Sequence, residues 1–402
     1  MKVTRRQFLQ AVGTSAVALG LSQIQVLKFA EVLARSTGPV EVIWLQGQNC
    51  TGCTTSFAGL QWDGNPEALP ADVRAYLDSA HFGGTSWPAT LPASISNDGK
   101  TTIDDVLLDI IDLKYNSTIM ATAGEAADAL LRGWMTTSNA SATRVLIVEG
   151  AIPTKAGKYC TISATVGGAD LTVADAVAGI AAHSDLVIAC GTCAAFGGIP
   201  AAVSDPAFPT TGATDVSAFL KTQSVNKLVV NVPGCPIHPD WLFGTIVHYL
   251  LNSFAGGANL DSYGRPTFYY GKTNHGGRCP RYQAYCDGMF ALTPGEAPNE
   301  NNRKFTAGLP STGTAPDRTL GAPYNIPLCL DKLGCKGFST GADCAFGGPG
   351  SGAKGRGWNV NARGADGNPA ASSGNSCINN GHPCTGCTEK GYPDKYSPFF
   401  TY

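Results

Sequence analysis

The chain has 402 residues, enough for two or three domains at about 150 residues each. Lys and Arg total 28 against 30 for Asp and Glu, a net charge of -2, which excludes a nucleic-acid footprint or a polybasic membrane patch. Charged residues make up only 14%, beside 49 Gly and 25 Pro, the composition of a loop-rich protein with much of its surface covered in a complex.

Residues 1–35 read as a targeting segment. Thr4-Arg5-Arg6-Gln7-Phe8-Leu9 precedes a weakly apolar run from Ala11 to Leu21, which matches a twin-arginine export signal with cleavage expected after Ala34. That route carries folded proteins, so it suits a chain that acquires a cofactor before export to the periplasm or cell exterior. No later stretch holds the roughly 18 to 20 apolar residues of a membrane helix, and no hydrophobic tail precedes Tyr402; a soluble mature chain without a transmembrane helix is expected.

From about Val40 to Phe254 apolar strands alternate with loops and helices, the pattern of an α/β fold with a doubly wound parallel sheet. Val40 to Leu45, Val106 to Ile111, Arg144 to Val148, Asp185 to Ala189 and Lys227 to Val232 read as strands; Glu125 to Met135, Thr172 to His183 and Trp241 to Phe254 read as helices. In such sheets ligands gather beyond the carboxyl ends of the strands. Cysteines follow that rule here: Leu45 leads to Cys50 and Cys53, Ala189 to Cys190 and Cys193, Val232 to Cys235, while Val148 leads to Glu149. A first domain over 36–260 and a second over 261–402 are expected. The second is rich in Gly, Pro and Asn, holds eight of the 14 cysteines, and buries too little apolar surface to hold together without a staple. Gln61 to Lys100, Thr293 to Asn325 and Gly347 to Ser376 read as insertions or long loops, and no internal repeat is evident.

Three groups of ligand-type residues stand out. Cys50-Thr51-Gly52-Cys53, Gly191-Thr192-Cys193-Ala194 and Pro233-Gly234-Cys235-Pro236 set four thiols in glycine-rich turns, which suits an iron-sulfur cube because small residues let backbone N–H groups approach the sulfides. Zinc is the plainer alternative for four thiolates. The second group is His275, Cys279, Cys329 and Cys335, and the third Cys344, Cys377, Cys384 and Cys387. Cys160, Cys190 and Cys286 remain outside the groups. A secreted protein stapled by seven disulfides is the alternative of a different class, and predicts a colourless protein without free thiols.

The twin arginines, Cys50-x-x-Cys53, Glu149-Gly150-Ala151-Ile152-Pro153, Gly191 to Ala194, Gly234-Cys235-Pro236, Cys329 to Gly337 and Pro383 to Cys387 occur in the order seen in the small subunit of nickel-iron hydrogenases, which the chain resembles over residues 40–402. The resemblance implies a flavodoxin-like domain with a proximal 4Fe-4S cluster on Cys50, Cys53, Cys193 and Cys235. It further implies a loop-rich domain with a distal 4Fe-4S cluster on His275, Cys279, Cys329 and Cys335 and a medial cluster on Cys344, Cys384 and Cys387. The function implied is electron relay through three clusters between a nickel-iron centre on a large-subunit partner and an external acceptor, such as a multihaem cytochrome or a membrane cytochrome or quinone module.

Three departures from the family pattern carry expectations of their own. Cys377 stands where many members have proline, so a fourth thiolate and a medial 4Fe-4S cluster are expected; without it the cluster would be 3Fe-4S. Gly52 and Gly198 occupy positions where oxygen-tolerant members add cysteines, so an ordinary proximal cube is expected, with Cys190 as a buried small hydrophobe. His275 and Cys279 have three residues between them where two are usual, and Gly276 and Gly277 are expected to absorb the extra one, with Cys286 as a reserve ligand. Glu149 either relays protons or accepts backbone hydrogen bonds, the second being preferred. The quinone-end subunit of complex I shares the first fold but lacks the export signal and the cysteine-rich second domain.

Overall fold

The structure, a computed structural model, describes residues 40–58, 61–63, 100–102, 111–155, 159–163, 169–202, 211–271, 273–275, 279, 281–293, 328–342, 344, 377–378 and 381–393. The export segment, Val106 to Ile110, Gly276 and Gly277, and most of the three long loops lie outside them. The described residues fall into two compact units, one running to Tyr269 and taken up again from Lys390, the other Tyr270–Glu389.

The first unit is built on a five-stranded parallel sheet of β1 (Val40–Gln46), β4 (Ile111–Asn116), β5 (Thr143–Glu149), β8 (Leu186–Cys190) and β9 (Val229–Val232), in the order β4-β1-β5-β8-β9. Counting only these five, the order is 2-1-3-4-5, the flavodoxin-like arrangement whose crevice opens where the winding reverses, between β1 and β5. The three central strands read as unbroken apolar runs because helices cover both faces, and Ile43, Leu45, Leu146, Val148, Val187 and Ala189 are all buried. Two short antiparallel pairs stand apart from the sheet: β2 (Gln61–Asp63) with β3 (Lys100–Thr102), and β6 (Thr161–Ser163) with β7 (Leu171–Thr172).

The helices of this unit are α1 (Gly52–Ala58), α2 (Gly124–Thr136), α3 (Val173–Ala182), α4 (Gly191–Phe196), α5 (Gly198–Ala201), α6 (Val216–Thr222) and α7 (Pro239–Leu250). Thr172 caps α3 by accepting from the Asp175 N–H at 3.2 Å, and Asp215 caps α6 through Ala218 N–H at 2.7 Å, each satisfying an end donor that would otherwise be orphaned. Pro239 opens α7 at the position where its missing N–H costs nothing.

The edge strand among the described residues is Ile111–Asn116, while all but the last residue of the expected Val106 to Ile111 strand lie outside them. With one edge open, Ile111–Asn116 needs only alternate burial: Lys114 lies half-exposed with its ammonium 2.5 Å from Asp112 and 3.8 Å from Glu41. The helix expected to reach Phe254 stops at Leu250, because Asn252 adopts φ 58° and Ser253 N–H turns back to the His248 carbonyl at 2.9 Å, a left-handed terminus. The unit extends past 260 because Asn231 of β9 donates to the Gly264 and Tyr263 carbonyls at 2.8 and 2.7 Å, covering that sheet edge with the 263–264 turn.

The second unit has little regular structure beyond α8 (Tyr282–Cys286) and a 3-10 turn at Asp331–Leu333. Its apolar cluster is small, centred on Ala284, Met289, Phe290, Leu328, Cys329 and Leu330. Among the described residues no helix is long and apolar enough to cross a membrane.

Candidate metal centres

All strands of the main sheet run the same way, so the loops after β1, β5, β8 and β9 leave from one edge. Hydrogen bonds lace them together: Gly47 N–H to the Glu149 carbonyl at 2.8 Å, Gln48 and Ala151 to each other, and Thr192 N–H to the Gly234 carbonyl at 3.0 Å, returned by Gly234 N–H to the Thr192 hydroxyl at 3.0 Å. Cys53, buried at the start of α1, sits against Gly191 so closely that a Cβ there would lie 2.5 Å from its sulfur. At Gly198 a Cβ would come within 2.9 Å of Cys193 Sγ, and at Gly52 within 3.1 Å of Cys50 Sγ. Glycine at these places leaves the room that the sulfurs occupy.

Cys50, Cys53, Cys193 and Cys235 are thus brought together, near enough that Cys50 and Cys53 bear on the ionisation of both Cys193 and Cys235. Burial first, then the neighbouring Cys235 and Cys53, push the Cys193 thiol up to about 12. Burial, with Cys53 and Cys50, takes Cys235 to about 11. Four thiolates cannot share this space without a compensating cation. That donor set fits a polynuclear iron-sulfur group.

In the metal-free chain both thiols are protonated when folded and ionise earlier when unfolded. Their stabilising effect is therefore fully present below pH 9.0 and is lost as pH rises through about 11 and 12. A urea midpoint of apo-protein that stayed level across that window would contradict this assignment.

Glu149 is a buried hub. Its Oε1 accepts from Cys53 N–H at 3.1 Å, and its Oε2 from Trp44 Nε1–H at 3.0 Å and from the Thr54 hydroxyl at 2.5 Å. It holds α1, and with it Cys53, against the sheet. Cys190 at the end of β8 is fully buried, as expected of a small hydrophobe, but lies beside Cys53, and burial first holds its own thiol well above the ordinary value. Cys160, with φ 54°, packs against the core cluster, and its carbonyl accepts from Val173 N–H at 2.9 Å.

In the second unit one cavity is lined by His275, Cys279, Cys329 and Cys335, all four residues of the second group, together with Asn274, Arg281 and Phe338. The His275 ring stacks on Phe338 at 3.7 Å and meets Tyr285 edge-on at 4.6 Å. Its Nε2 is buried without a hydrogen-bond partner, as is Asn274 Nδ2. Burial lowers the His275 pKa and keeps the ring neutral, the form that ligates metal. It also raises the Cys279 thiol and takes Cys329 to about 11. An orphaned imidazole nitrogen beside three thiols fits a metal cluster. Cys286 ends α8, exposed and beside the Tyr282 hydroxyl, outside the lining of this cavity.

The third group adjoins the second. Cys384 N–H donates to Cys335 Sγ at 3.3 Å, the Thr340 hydroxyl lies 3.3 Å from Cys384 Sγ, and burial, with Cys335 and Cys377 nearby, holds the Cys384 thiol at about 11. Gly341 N–H donates to Glu389 Oε1 at 2.8 Å, joining the segment before Cys344 to the one after Cys387. All 14 cysteines stand as thiols in the structure. Asn274 and Arg281 were not legible as site residues, since no spacing rule marks a lone amide or guanidinium.

The family model described as NADH ubiquinone oxidoreductase, 20 Kd subunit, matches residues 92–249, within the first unit alone. Similarity to hydrogenase subunits extends over the whole chain. The periplasmic [NiFeSe] hydrogenase small subunit of Desulfomicrobium baculatum is 31% identical over 100% of this chain and 99% of its own length. The periplasmic [NiFe] hydrogenase small subunit 1 of Nitratidesulfovibrio vulgaris is 31% identical over 85% of this chain and 82% of its own. Among solved structures, the reduced, active Ni-Fe-Se hydrogenase of Desulfomicrobium baculatum superposes with a TM-score of 0.60 at 31% identity, covering 90% of this chain and 99% of that one. The recombinant [NiFeSe] hydrogenase of Desulfovibrio vulgaris Hildenborough gives 0.61 at 30%, covering 91% and 99%. With its parallel sheet, its thiol-lined edge and this full-length similarity, the chain belongs to the small-subunit family of nickel-iron hydrogenases.

Proposed function

We propose that this small subunit carries three iron-sulfur clusters and passes electrons between the nickel-iron centre of a large-subunit partner, where H2 yields two protons and two electrons, and an external acceptor. Cys50, Cys53, Cys193 and Cys235 would hold the proximal 4Fe-4S cluster, His275, Cys279, Cys329 and Cys335 the distal one, and Cys344, Cys377, Cys384 and Cys387 a medial 4Fe-4S cluster. When bound, the clusters supply one-electron redox steps at potentials set by charge, hydrogen bonding and exposure. The chain's own residues hold the sulfurs, exclude water and neutralise charge: Glu149 anchors the Cys53 turn, the glycines admit the sulfurs, and Phe338 and Tyr285 orient the His275 ring. The low charge content fits a broad interface with the large subunit. The Arg5-Arg6 segment and the periplasmic relatives support twin-arginine export to the periplasm or cell exterior, where the acceptor would be a multihaem cytochrome or a membrane cytochrome or quinone module.

The observation that carries this reading is the cavity that gathers His275, Cys279, Cys329 and Cys335 around an imidazole nitrogen with no hydrogen-bond partner. Metal analysis of the anaerobically purified complex tests it: nickel near one and iron of about thirteen per heterodimer are expected, three cubes plus one iron on the partner. Iron without nickel would point to a different redox partner, and absence of iron would overturn the reading. An oxidised sample dominated by a 3Fe-4S electron paramagnetic resonance signal would remove Cys377 from the ligand set.

A further inference from the structure

Arg281 is the one buried cation among the described residues of the second unit. Its backbone N–H donates to Cys279 Sγ at 3.4 Å, its Nε–H to the Ile378 carbonyl at 2.8 Å and its Nη1–H to the Leu328 carbonyl at 2.7 Å. Ile378 follows Cys377, and Leu328 precedes Cys329. The guanidinium therefore ties the segments that carry Cys329 and Cys377, one from each ligand group, to its own segment, where the Arg281 backbone N–H meets Cys279. The Cys335 sulfur lines the same cavity and accepts from Cys384 N–H, so the two groups share a wall.

Two carboxylates lie in the same unit. Asp331, at the cavity lining, lies 3.6 Å from Lys332, and the buried Glu389 accepts from Gly341 N–H at 2.8 Å and from the Thr388 hydroxyl at 3.1 Å. Both are anions and cannot offset thiolates. Burying negative charge in a medium of low polarisability requires a nearby cation, and a fixed cation favours the more negative, reduced form of a redox centre.

We propose that Arg281 is a counter-charge shared by the distal and medial cluster sites, held between them by the Leu328 and Ile378 carbonyls, and that it raises both reduction potentials together. It is a positioning residue and takes no electron itself. The inference rests on the cluster assignment above, and the test separates the two.

The heterodimer is purified anaerobically with Arg281, with Arg281→Lys and with Arg281→Gln, then analysed for iron and titrated redoxically by electron paramagnetic resonance. If the wild-type subunit lacks second-unit clusters, the assignment itself fails. If wild type is loaded, Arg281→Gln is expected to make both second-unit clusters about tenfold harder to reduce, a fall of about 59 mV for a one-electron couple, with the proximal cluster unmoved and Arg281→Lys close to wild type. A shift in one cluster only, or in neither, or an equal shift in the lysine variant, overturns the proposal. Should Arg281→Gln arrive without both clusters, restoration of both by lysine supports a shared charge, and restoration of neither overturns it.

Discussion

Replacing Gly191 with alanine is expected to expel the proximal cluster while leaving the sheet folded. Two effects add at this position. The backbone has φ +84°, a region that costs an L-residue about 1–2 kcal/mol, and the new Cβ would lie 2.5 Å from Cys53 Sγ. Relief has to come from the sulfur, because the other near atom is the Gly234 carbonyl oxygen at 3.5 Å, held by the Thr192 N–H. Gly124→Ala is the matched control: it has the same sign of φ, +61°, but nothing within 4 Å of the added carbon. Gly124→Ala should show the stability cost of the positive φ alone, Gly191→Ala that cost and more, and only Gly191→Ala should lose one cluster's worth of iron. Equal iron in the two variants would remove Cys53 from the ligand set.

Glu149→Ala should produce the largest loss of stability in the first unit. The carboxylate is 2% exposed and accepts three hydrogen bonds, from Trp44, Thr54 and Cys53. Removing it strands those donors in a space from which water is excluded, at roughly 1–3 kcal/mol for each one left unsatisfied. Set against a total stability of about 5–15 kcal/mol for a typical protein, that is a large fraction. Glu149→Gln retains one acceptor oxygen but turns an NH2 toward a donor, so an intermediate loss is expected. Urea midpoints ordered wild type, glutamine, alanine would bear out the hub. If instead both variants melted like wild type and only proton-coupled activity fell, Glu149 would be a relay and not an anchor.

The sheet was legible because its central strands are buried on both faces and therefore carry uninterrupted apolar runs, as in Val145 to Val148 and Leu186 to Ala189. The edge strand obeys a weaker rule. Ile111 and Tyr115 are buried while Asp112 and Lys114 reach water, so Ile111–Asn116 carries no continuous apolar run. Helices of four to seven residues such as α1, α4 and α5 have too few turns to show a period and consist largely of Gly, Cys, Thr and Ala. Cysteine spacing and the resemblance pointed to the residues that gather at the sheet edge and around His275. What surrounds them was not legible: Asn274, Arg281 and the Phe338 stack on His275 depend on where distant segments meet, and a linear pattern holds no such information.

The laced loops at the sheet edge have a consequence for biosynthesis. Cys50 and Cys53 lie on the loop after the first strand of the sheet, whereas Cys235 follows the last, and the Thr192 to Gly234 bonds that fix the final turn cannot form until β9 pairs with β8. At a translation rate of about 5–20 residues per second, the early pair leaves the ribosome roughly 9–36 seconds ahead of its last partner. During that interval a two-thiol stub is exposed to oxidants and to stray zinc. The four-thiol edge is therefore complete only late in synthesis, once the last strand of the sheet has paired and its turn has closed.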